Sequence, residues 1–499
     1  MKKVLHLLPN HRAHCLLIKQ AFSPDFCDQL INSKKNSFKK ASTHYPTSYR
    51  NNERQVLDNE EFAQQLFQKI KNYIPDIIET EGMSKQESGT WKLNSLNTRI
   101  RICRYLPNQY FNKHLDGVHY VSAEQQSKLT FMIYLNGNED FEGGRTLFFE
   151  SKESDSILSS YEPEKGDLII FDHNLWHSGE TVLKGEKYIL RSDIIYQKID
   201  ANPQVNNSFC GEGHLGYIWT ATLHDNKLIT SGRDKKIKIW SKDGEKLSEL
   251  TGHKNSIISL IGFDDDTIVS ASRDMSIKIW RRKVESEFGL VTSLNFHKGA
   301  VLSLCKMDTK SFLSGGADGR VNQIDIDGNL IDQYQAHEEW IWDIVKIDDE
   351  KYASISEDGS LKIWKYDTHR LVTAWQENIP VNSIAVEPSM ILIGRFDGSI
   401  IRLIFDYQTK TLKEISRKKC HNGIIRRIMI DEQYLYSASE DSTLKIWDKV
   451  QLEFVKLFKH RNFVQDIVLL NDSIISVSYD GEIIKHNRPI SEKRGCDQV

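Results

Sequence analysis

Between about residue 213 and residue 487 the sequence repeats with a spacing of 39 to 44 residues, and few folds accommodate so regular a pattern. The fullest copies read GHKNSIISL…TIVSASRDMSIKIW and CHNGIIRRI…YLYSASEDSTLKIW. Each holds an apolar strand, a turn, a Ser/Ala-rich strand, an aspartate in a tight turn, and an alternating IKIW-type strand. Alternating Ile and Lys gives a strand one buried and one wet face, so the lysines of KIKIW and LKIW read as solvated. Seven turn aspartates align: Asp234, Asp274, Asp318, Asp358, Asp397, Asp441 and Asp480. A histidine stands 20 or 21 residues before six of them, at His214, His253, His297, His337, His421 and His460. Gln376 takes that place in the fifth copy. Such fixed pairing with a turn aspartate points away from metal binding. It predicts a buried His–Asp hydrogen bond in each copy, holding one loop of each sheet against the next.

These repeats resemble the WD-repeat family almost continuously over residues 213–487. The resemblance implies an all-β, seven-bladed β-propeller over 214–487, a closed ring of four-stranded blades without free sheet edges. The third copy (VNQIDIDG) lacks the IW pair, the seventh reads GEIIKHN, and the fifth lacks the histidine. The resemblance also implies an interaction platform, hence a protein substrate or scaffold partner bound through the propeller. Residues just before the turn aspartates differ from copy to copy, as on a surface shaped for one partner.

The rest of the chain is organised differently. A length of 499 residues exceeds one ordinary domain, and 39% hydrophobic with 27% charged residues fits folded cores. Helical periodicity appears in Pro24–Asn32 and 60–74, followed by strand-like segments up to about residue 197. The boundaries read as a first domain over 1–197, a linker over 198–213 containing the turn-rich NPQVNNSFCGEG, the repeats, and a tail over 488–499. The net charge of -3 supplies no basic field, so no nucleic-acid partner is expected. No apolar run approaches the roughly 20 residues of a membrane span, and the apolar run in residues 1–8 is too short for a secretion signal. Seven scattered cysteines without a CxxC suit neither a disulfide framework nor a zinc site. A reducing, cytoplasmic setting follows.

The candidate chemistry lies in the first half. Residues 99–117 read RIRICRYLPNQYFNKHLDG and end on His114-Leu115-Asp116. On an extended strand, positions two apart share a face, so His114 and Asp116 are expected to reach one metal together. His177, in FDHNLWHSGE, is the candidate third ligand. Two histidines and a carboxylate on one face, with other positions open, suit non-haem Fe(II). His119 and His173 lie nearby without a period-two partner and read as bystanders, and Gly143-Gly144 reads as a turn.

The order of segments LTFMIYLN, FEGGRTLFFE, EPEKGDLIIFDHNLWHSGETV and GEKYILRSDIIY resembles 2-oxoglutarate oxygenases of the prolyl 4-hydroxylase type over about residues 13–197. The family pattern Y-x-x-G-x-x-F-x-x-H-x-D is met by Tyr105, Phe111, His114 and Asp116, with Asn108 in place of the glycine. Asparagine tolerates the left-handed backbone region that such a turn requires. This likeness implies an α+β domain built on a double-stranded β-helix (jelly-roll). It also implies Fe(II), 2-oxoglutarate as co-substrate and O2, with ascorbate as the reductant. Oxidative decarboxylation would yield succinate and CO2 and hydroxylate a protein side chain. Related halogenases lack the carboxylate ligand, so an intact Asp116 favours hydroxylation. Lys187, ten residues after His177, is implied to hold the distal carboxylate of 2-oxoglutarate, with Arg191 on the same strand face as the alternative and Tyr105 as a hydroxyl donor. Two other functions stay open on sequence: a small-molecule or amino-acid hydroxylase tethered by the propeller, and a catalytically dead scaffold. The intact ligand set with Lys187 argues against the last.

Overall fold

The computed structural model describes residues 2–33, 37–41, 46, 47, 49–81, 87–122, 124–152, 154–199, 209, 210, 213–284 and 287–489. Most of the expected linker and residues 490–499 of the tail lie outside them. The chain divides into two compact units, Met1–Pro203 and Gln204–Val499. Both are mostly β, and the helices belong to the first.

In the first unit one large antiparallel sheet carries the strands in the order Val4–His6, Cys15–Ile18, Leu168–Asp172, Gln125–Tyr134, Lys187–Lys198, Arg99–Tyr105, Glu53–Asp58 and Lys39–Lys40. A smaller sheet orders Ile157–Tyr161, Thr146–Phe149, Trp176–Gly179 and Phe111–His114. Alternation along the large sheet's strands divides the core. Ile100, Ile102, Leu129, Phe131, Ile133, Leu168, Ile170 and Leu190 face one way and pack under the helices Pro24–Asn32 and Glu60–Ile70. Cys103, Tyr105, Met132, Tyr134, Ile169, Phe171 and Ile189 face the other way, toward the residues of the small sheet. With both faces covered, these strands read as apolar runs rather than as alternating ones. Helix starts follow local chemistry: Ser23 caps the first, with Pro24 at its first turn, and Asn59 accepts from Phe62 N–H (2.9 Å) at the second. The expected 60–74 helix is α-helical over Glu60–Ile70 and continues as a 3-10 turn over Lys71–Tyr73.

The repeats of the second unit fold into seven successive antiparallel sheets, six of four strands and the last of three among the described residues. In five copies the expected His–Asp bond is made. His253 Nδ1 lies 3.0 Å from Asp274, its Nε2 lies 2.9 Å from Ser270 Oγ, and Trp280 Nε1 donates to that same hydroxyl at 2.8 Å. The first, fourth and sixth sheets repeat the set with His214, His337 and His421; the third, lacking the tryptophan, keeps His297–Asp318–Ser314. The seventh departs. His460 turns its Nε2 to Ser476, while its Nδ1 and Asp480 Oδ2 stay buried without a hydrogen-bond partner among the described residues. In the fifth, buried Arg395 meets Glu377 (2.9 Å), which also pairs with Arg417. Thr220 on the first sheet donates to Asp466 on the seventh (3.0 Å).

The expectation of solvated lysines in the IKIW strands is corrected. Lys238 and Lys278 are buried, and Lys238, Lys362 and Lys445 donate to the carbonyls of Gly213, Ala336 and Cys420 at 2.6–2.7 Å. Each ammonium sits 5.9 Å from the centroid of its own sheet's tryptophan, so the aliphatic stem is covered and the charge caps a loop. The six described cysteines are buried thiols.

Asp274 accepts from His253, from Lys254 N–H (2.7 Å) and from Ser276 N–H (3.0 Å), and these partners outweigh burial and hold its carboxyl well below the usual range. Its contribution is therefore present above about pH 4 and lost as pH falls below that. Asp480 is shifted the opposite way, upward, by burial. Asp274→Asn is expected to cost about 1–3 kcal/mol in urea unfolding of the repeats near neutral pH. Asp480→Asn is expected to be neutral or stabilising. Equal losses would contradict this assignment of partners.

Candidate metal centre

The small sheet brings the two histidines together. Trp176–Gly179 runs antiparallel to Phe111–His114, with His177 directly opposite His114. Their rings lie 4.1 Å apart, and both are buried. The strand ends at His114, so Asp116 does not share it as the sequence suggested. It sits on the irregular segment that follows, where its N–H donates to the carbonyl of His173 (3.3 Å). His173 thus anchors the site through its backbone. The three side chains still converge: one ligand atom from each of His114, Asp116 and His177 falls within 4.8 Å of the others.

The orientation of the imidazoles is fixed from behind. His114 Nδ1 lies 2.7 Å from the carbonyl of Asn112, and His177 Nδ1 lies 2.9 Å from that of Leu175. A carbonyl only accepts, so each Nδ1 carries the proton and each Nε2 turns its lone pair to the centre. These nitrogens stand 3.8 and 3.7 Å from the Asp116 oxygens, beyond hydrogen-bonding reach. His114 Nε2 is buried with no hydrogen-bond partner among the described residues. Burial holds both histidines below their ordinary pKa, and at His114 the neighbouring His177 adds to it, so both stay neutral as ligands must. Phe111 stacks on His114 at 3.6 Å, with the Arg50 guanidinium 4.0 Å over the far side of Phe111. A buried lone pair aimed at a carboxylate and a second lone pair suits a divalent cation.

Asp116 is held from two sides. Thr130 Oγ1 donates to Oδ2 (2.6 Å) and Arg191 Nη2 donates to Oδ1 (2.5 Å). Burial alone would raise its pKa, but Arg191, His177 and His114 together keep it well below the ordinary value. Behind Arg191 the charges continue into Asp193, which accepts from Asn97 (2.9 Å) and Arg101 (3.3 Å).

Lys187 and Arg191 share one face of Lys187–Lys198, as their spacing implied, and both line the small cavity around the histidines. Their roles differ. Lys187 Nζ donates to the Gly144 carbonyl (2.5 Å) and lies 5.5 and 5.6 Å from the rings of Tyr105 and Tyr134. Tyr134 shares a hydrogen bond with Thr146 (2.7 Å), and Tyr105 and Thr146 also line the cavity. Burial pushes the Lys187 ammonium down to about 7, against the opposing pull of Glu180 and Cys103. Gly143 and Gly144 adopt left-handed φ (75° and 67°), and the turn they form delivers the carbonyl that Lys187 uses. Asn108, standing where the family has glycine, is also left-handed (φ 67°).

Sequence reasoning missed Thr130, Tyr134, Thr146 and the Gly144 carbonyl. A threonine within the apolar run KLTFMIYL, on the same strand face as Met132 and Tyr134, was the one signal present for the first two.

Residues 100–192 match the family profile described as the 2OG-Fe(II) oxygenase superfamily. Residues 207–241, 244–281, 328–365 and 412–448 match the WD domain, G-beta repeat. The chain thus carries a 2OG-Fe(II) oxygenase superfamily domain together with WD repeats. Among curated relatives, a protein of Acanthamoeba polyphaga mimivirus provisionally named a prolyl 4-hydroxylase is 30% identical over 109 residues, 18% of this chain and 41% of that protein. A PKHD-type hydroxylase of Prochlorococcus marinus is 26% identical, over 24% of this chain and 52% of its own length. The chain therefore spans about half or less of these two hydroxylases. Eukaryotic translation initiation factor 3 subunit I of Nematostella vectensis is 23% identical over 56% of this chain and 98% of its own length.

Thr130→Val keeps the shape of the side chain and removes one hydrogen bond to Asp116. It is expected to weaken Co(II) binding, followed by visible absorption, about ten- to a hundredfold while the fold persists. Unchanged affinity would show that Thr130 does not orient the carboxylate.

Proposed function

We propose that this protein is an Fe(II)- and 2-oxoglutarate-dependent dioxygenase that hydroxylates a protein side chain. In this reading residues 1–197 are a double-stranded β-helix, 198–213 a linker, 214–487 a seven-bladed β-propeller that recruits the substrate or a scaffold partner, and 488–499 a tail. The observation that carries it is the buried His114–Asp116–His177 cluster, with both imidazoles anchored through Nδ1 and their Nε2 lone pairs turned inward.

His114, Asp116 and His177 would hold Fe(II), which with 2-oxoglutarate and O2 would supply decarboxylation to succinate and CO2 coupled to C–H hydroxylation, with ascorbate as the reductant. The protein's own residues bind, orient and exclude water. Lys187 binds the distal carboxylate, assisted by the hydroxyl of Thr146, which lines the same cavity and shares a hydrogen bond with Tyr134. Tyr105 offers its hydroxyl along the cavity wall. Arg191 is already committed to Asp116, which favours Lys187 over it for the distal carboxylate. Thr130 and Arg191 together fix the carboxylate so that Asp116 meets the metal in one orientation.

Purified protein given Fe(II), ascorbate and 2-oxoglutarate should release succinate, and His177→Ala should abolish that release; undiminished turnover in this variant would sink the reading. Lys187→Ala should weaken 2-oxoglutarate binding about ten- to a hundredfold with metal binding kept. Should only Arg191→Ala do so, the two cations are exchanged. Because burial brings Lys187 to about 7, its charge is present below that pH and lost above it, and a bound carboxylate raises it again. Glu180, Cys103, Tyr105 and Tyr134 are the titratable groups around it. Affinity for 2-oxoglutarate, measured by calorimetry, should be flat below pH 7 and fall by up to about tenfold per unit above it. In Lys187→Arg, whose guanidinium does not titrate, that fall should vanish.

A further inference from the structure

In each repeat two positions flank the start of the inner strand: the residue after the histidine and the residue before the turn aspartate. Backbone bonds fix them there. Lys254 and Lys298 N–H donate to Asp274 and Asp318 (2.7 and 2.8 Å). Arg233, Arg273, Ala317 and Tyr479 N–H donate to the carbonyls of Tyr217, Ser256, Ala300 and Phe463 (2.8–2.9 Å). Both positions therefore lie along one edge of each sheet.

Charge is sorted along that edge. The seventh, first, second and third sheets place Arg461, Arg233, Lys254, Arg273 and Lys298 there, with Leu215, Ala317 and Tyr479 at the remaining positions and no carboxylate among them. The fourth and sixth place Glu338, Glu357 and Glu440 instead. The whole chain carries -3, so this basic sector is local. Its sheets touch: Tyr217 of the first stacks on Tyr479 of the seventh at 3.4 Å, and Arg273 of the second lies 5.1 Å over Trp219 of the first. Ile258 of the second packs against the cluster of Ala300 and Leu302 of the third with Trp340. Lys254, Lys298 and Arg461 are exposed, and Arg233 and Arg273 are half-buried. Arg233 lies 4.6 Å over Tyr217, and a guanidinium offers its donors in one plane, the geometry that grips a carboxylate bidentately. Beside this sector Ile258, Ala317, Trp342 and Phe396 form a half-buried apolar floor, with Trp342 and Phe396 5.9 Å apart.

We infer that this edge is a docking surface for an acidic peptide segment carrying one large apolar side chain. Its carboxylates meet Arg233, Arg273 and Arg461, and the apolar group seats against Ile258, Ala317 and Trp342, an anchor with a charged surround. Nucleic acid fits less well: Tyr217 and Tyr479 stack on each other rather than on bases, and Glu338 of the adjoining fourth sheet is an exposed carboxylate that a phosphate backbone would meet. This inference rests on the proposal that the repeat half recruits a protein, and it names the chemistry of that protein.

The test uses the full-length protein and three fluorescent probes: a short Asp/Glu-rich peptide with one central Trp, the same peptide with every carboxylate replaced by Lys, and a single-stranded RNA of similar length. In anisotropy titrations the acidic peptide should bind saturably, less tightly as salt rises, and better than the other two. Arg233→Glu combined with Arg273→Glu should weaken it about tenfold or more with an unchanged melting temperature, whereas Glu338→Gln should not weaken it. No saturable binding, equal binding by the double variant, or tighter binding of the RNA would overturn the inference. Failure of the dioxygenase proposal would appear instead in succinate release, which neither substitution touches.

Discussion

The antiparallel pairing of Trp176–Gly179 with Phe111–His114 places His177 opposite His114, and the rest of the site is arranged around that register. Directly opposed residues on one face of an antiparallel pair have Cβ atoms about 5 Å apart, close enough for two imidazoles to share one ion. A slip of one residue would send His177 to the other face of its strand, away from His114. The carbonyls of Asn112 and Leu175, each two residues before its histidine, set the tautomers, so the backbone fixes both position and protonation. Asp116 comes from the chain just beyond the strand end and is held in place by Thr130 and Arg191 of the large sheet. The candidate metal site is therefore a joint product of two sheets, and the small cavity beside the histidines is where the co-substrate chemistry is proposed.

The repeat half uses a different economy. Five of the seven sheets close a loop with a histidine, a turn aspartate, a Ser or Thr hydroxyl and, in four of them, a tryptophan, so these copies are stabilised locally. The side chains along the loop edge, which take no part in that bond set, differ in charge from sheet to sheet. The fifth and seventh sheets show how much the hydrogen-bond set tolerates. Arg395 and Glu377 serve where the histidine is missing, and in the seventh the histidine is present but bonds a serine rather than the aspartate.

Much of this was legible in the sequence because it is written in local patterns. The repeat spacing located the sheets, and the paired His and Asp positions anticipated five of the hydrogen bonds. Asn108 was read correctly as a residue able to take the left-handed turn. What was not legible depends on strand pairing across long separations. Thr130 and Arg191 meet Asp116 from strands 14 and 75 residues away, and nothing in their own neighbourhoods shows which side chain they will hold. The lysines of IKIW were misread for a related reason: alternation predicts which face they take, but not the loop carbonyl that receives the ammonium. His460 shows the converse limit, since a matching motif position did not bring its matching bond.

In the proposed site His114, Asp116 and His177 hold iron while Lys187 holds the far end of 2-oxoglutarate. Diffraction at the iron absorption edge, from crystals grown without oxygen in Fe(II) and 2-oxoglutarate, tests it directly. One strong anomalous peak is expected within bonding distance of Nε2 of both histidines and of an Asp116 oxygen, with the distal carboxylate of 2-oxoglutarate on Lys187 Nζ and Arg191 still on Asp116. A peak elsewhere, or a distal carboxylate held by Arg191 with Lys187 left on Gly144, would contradict it.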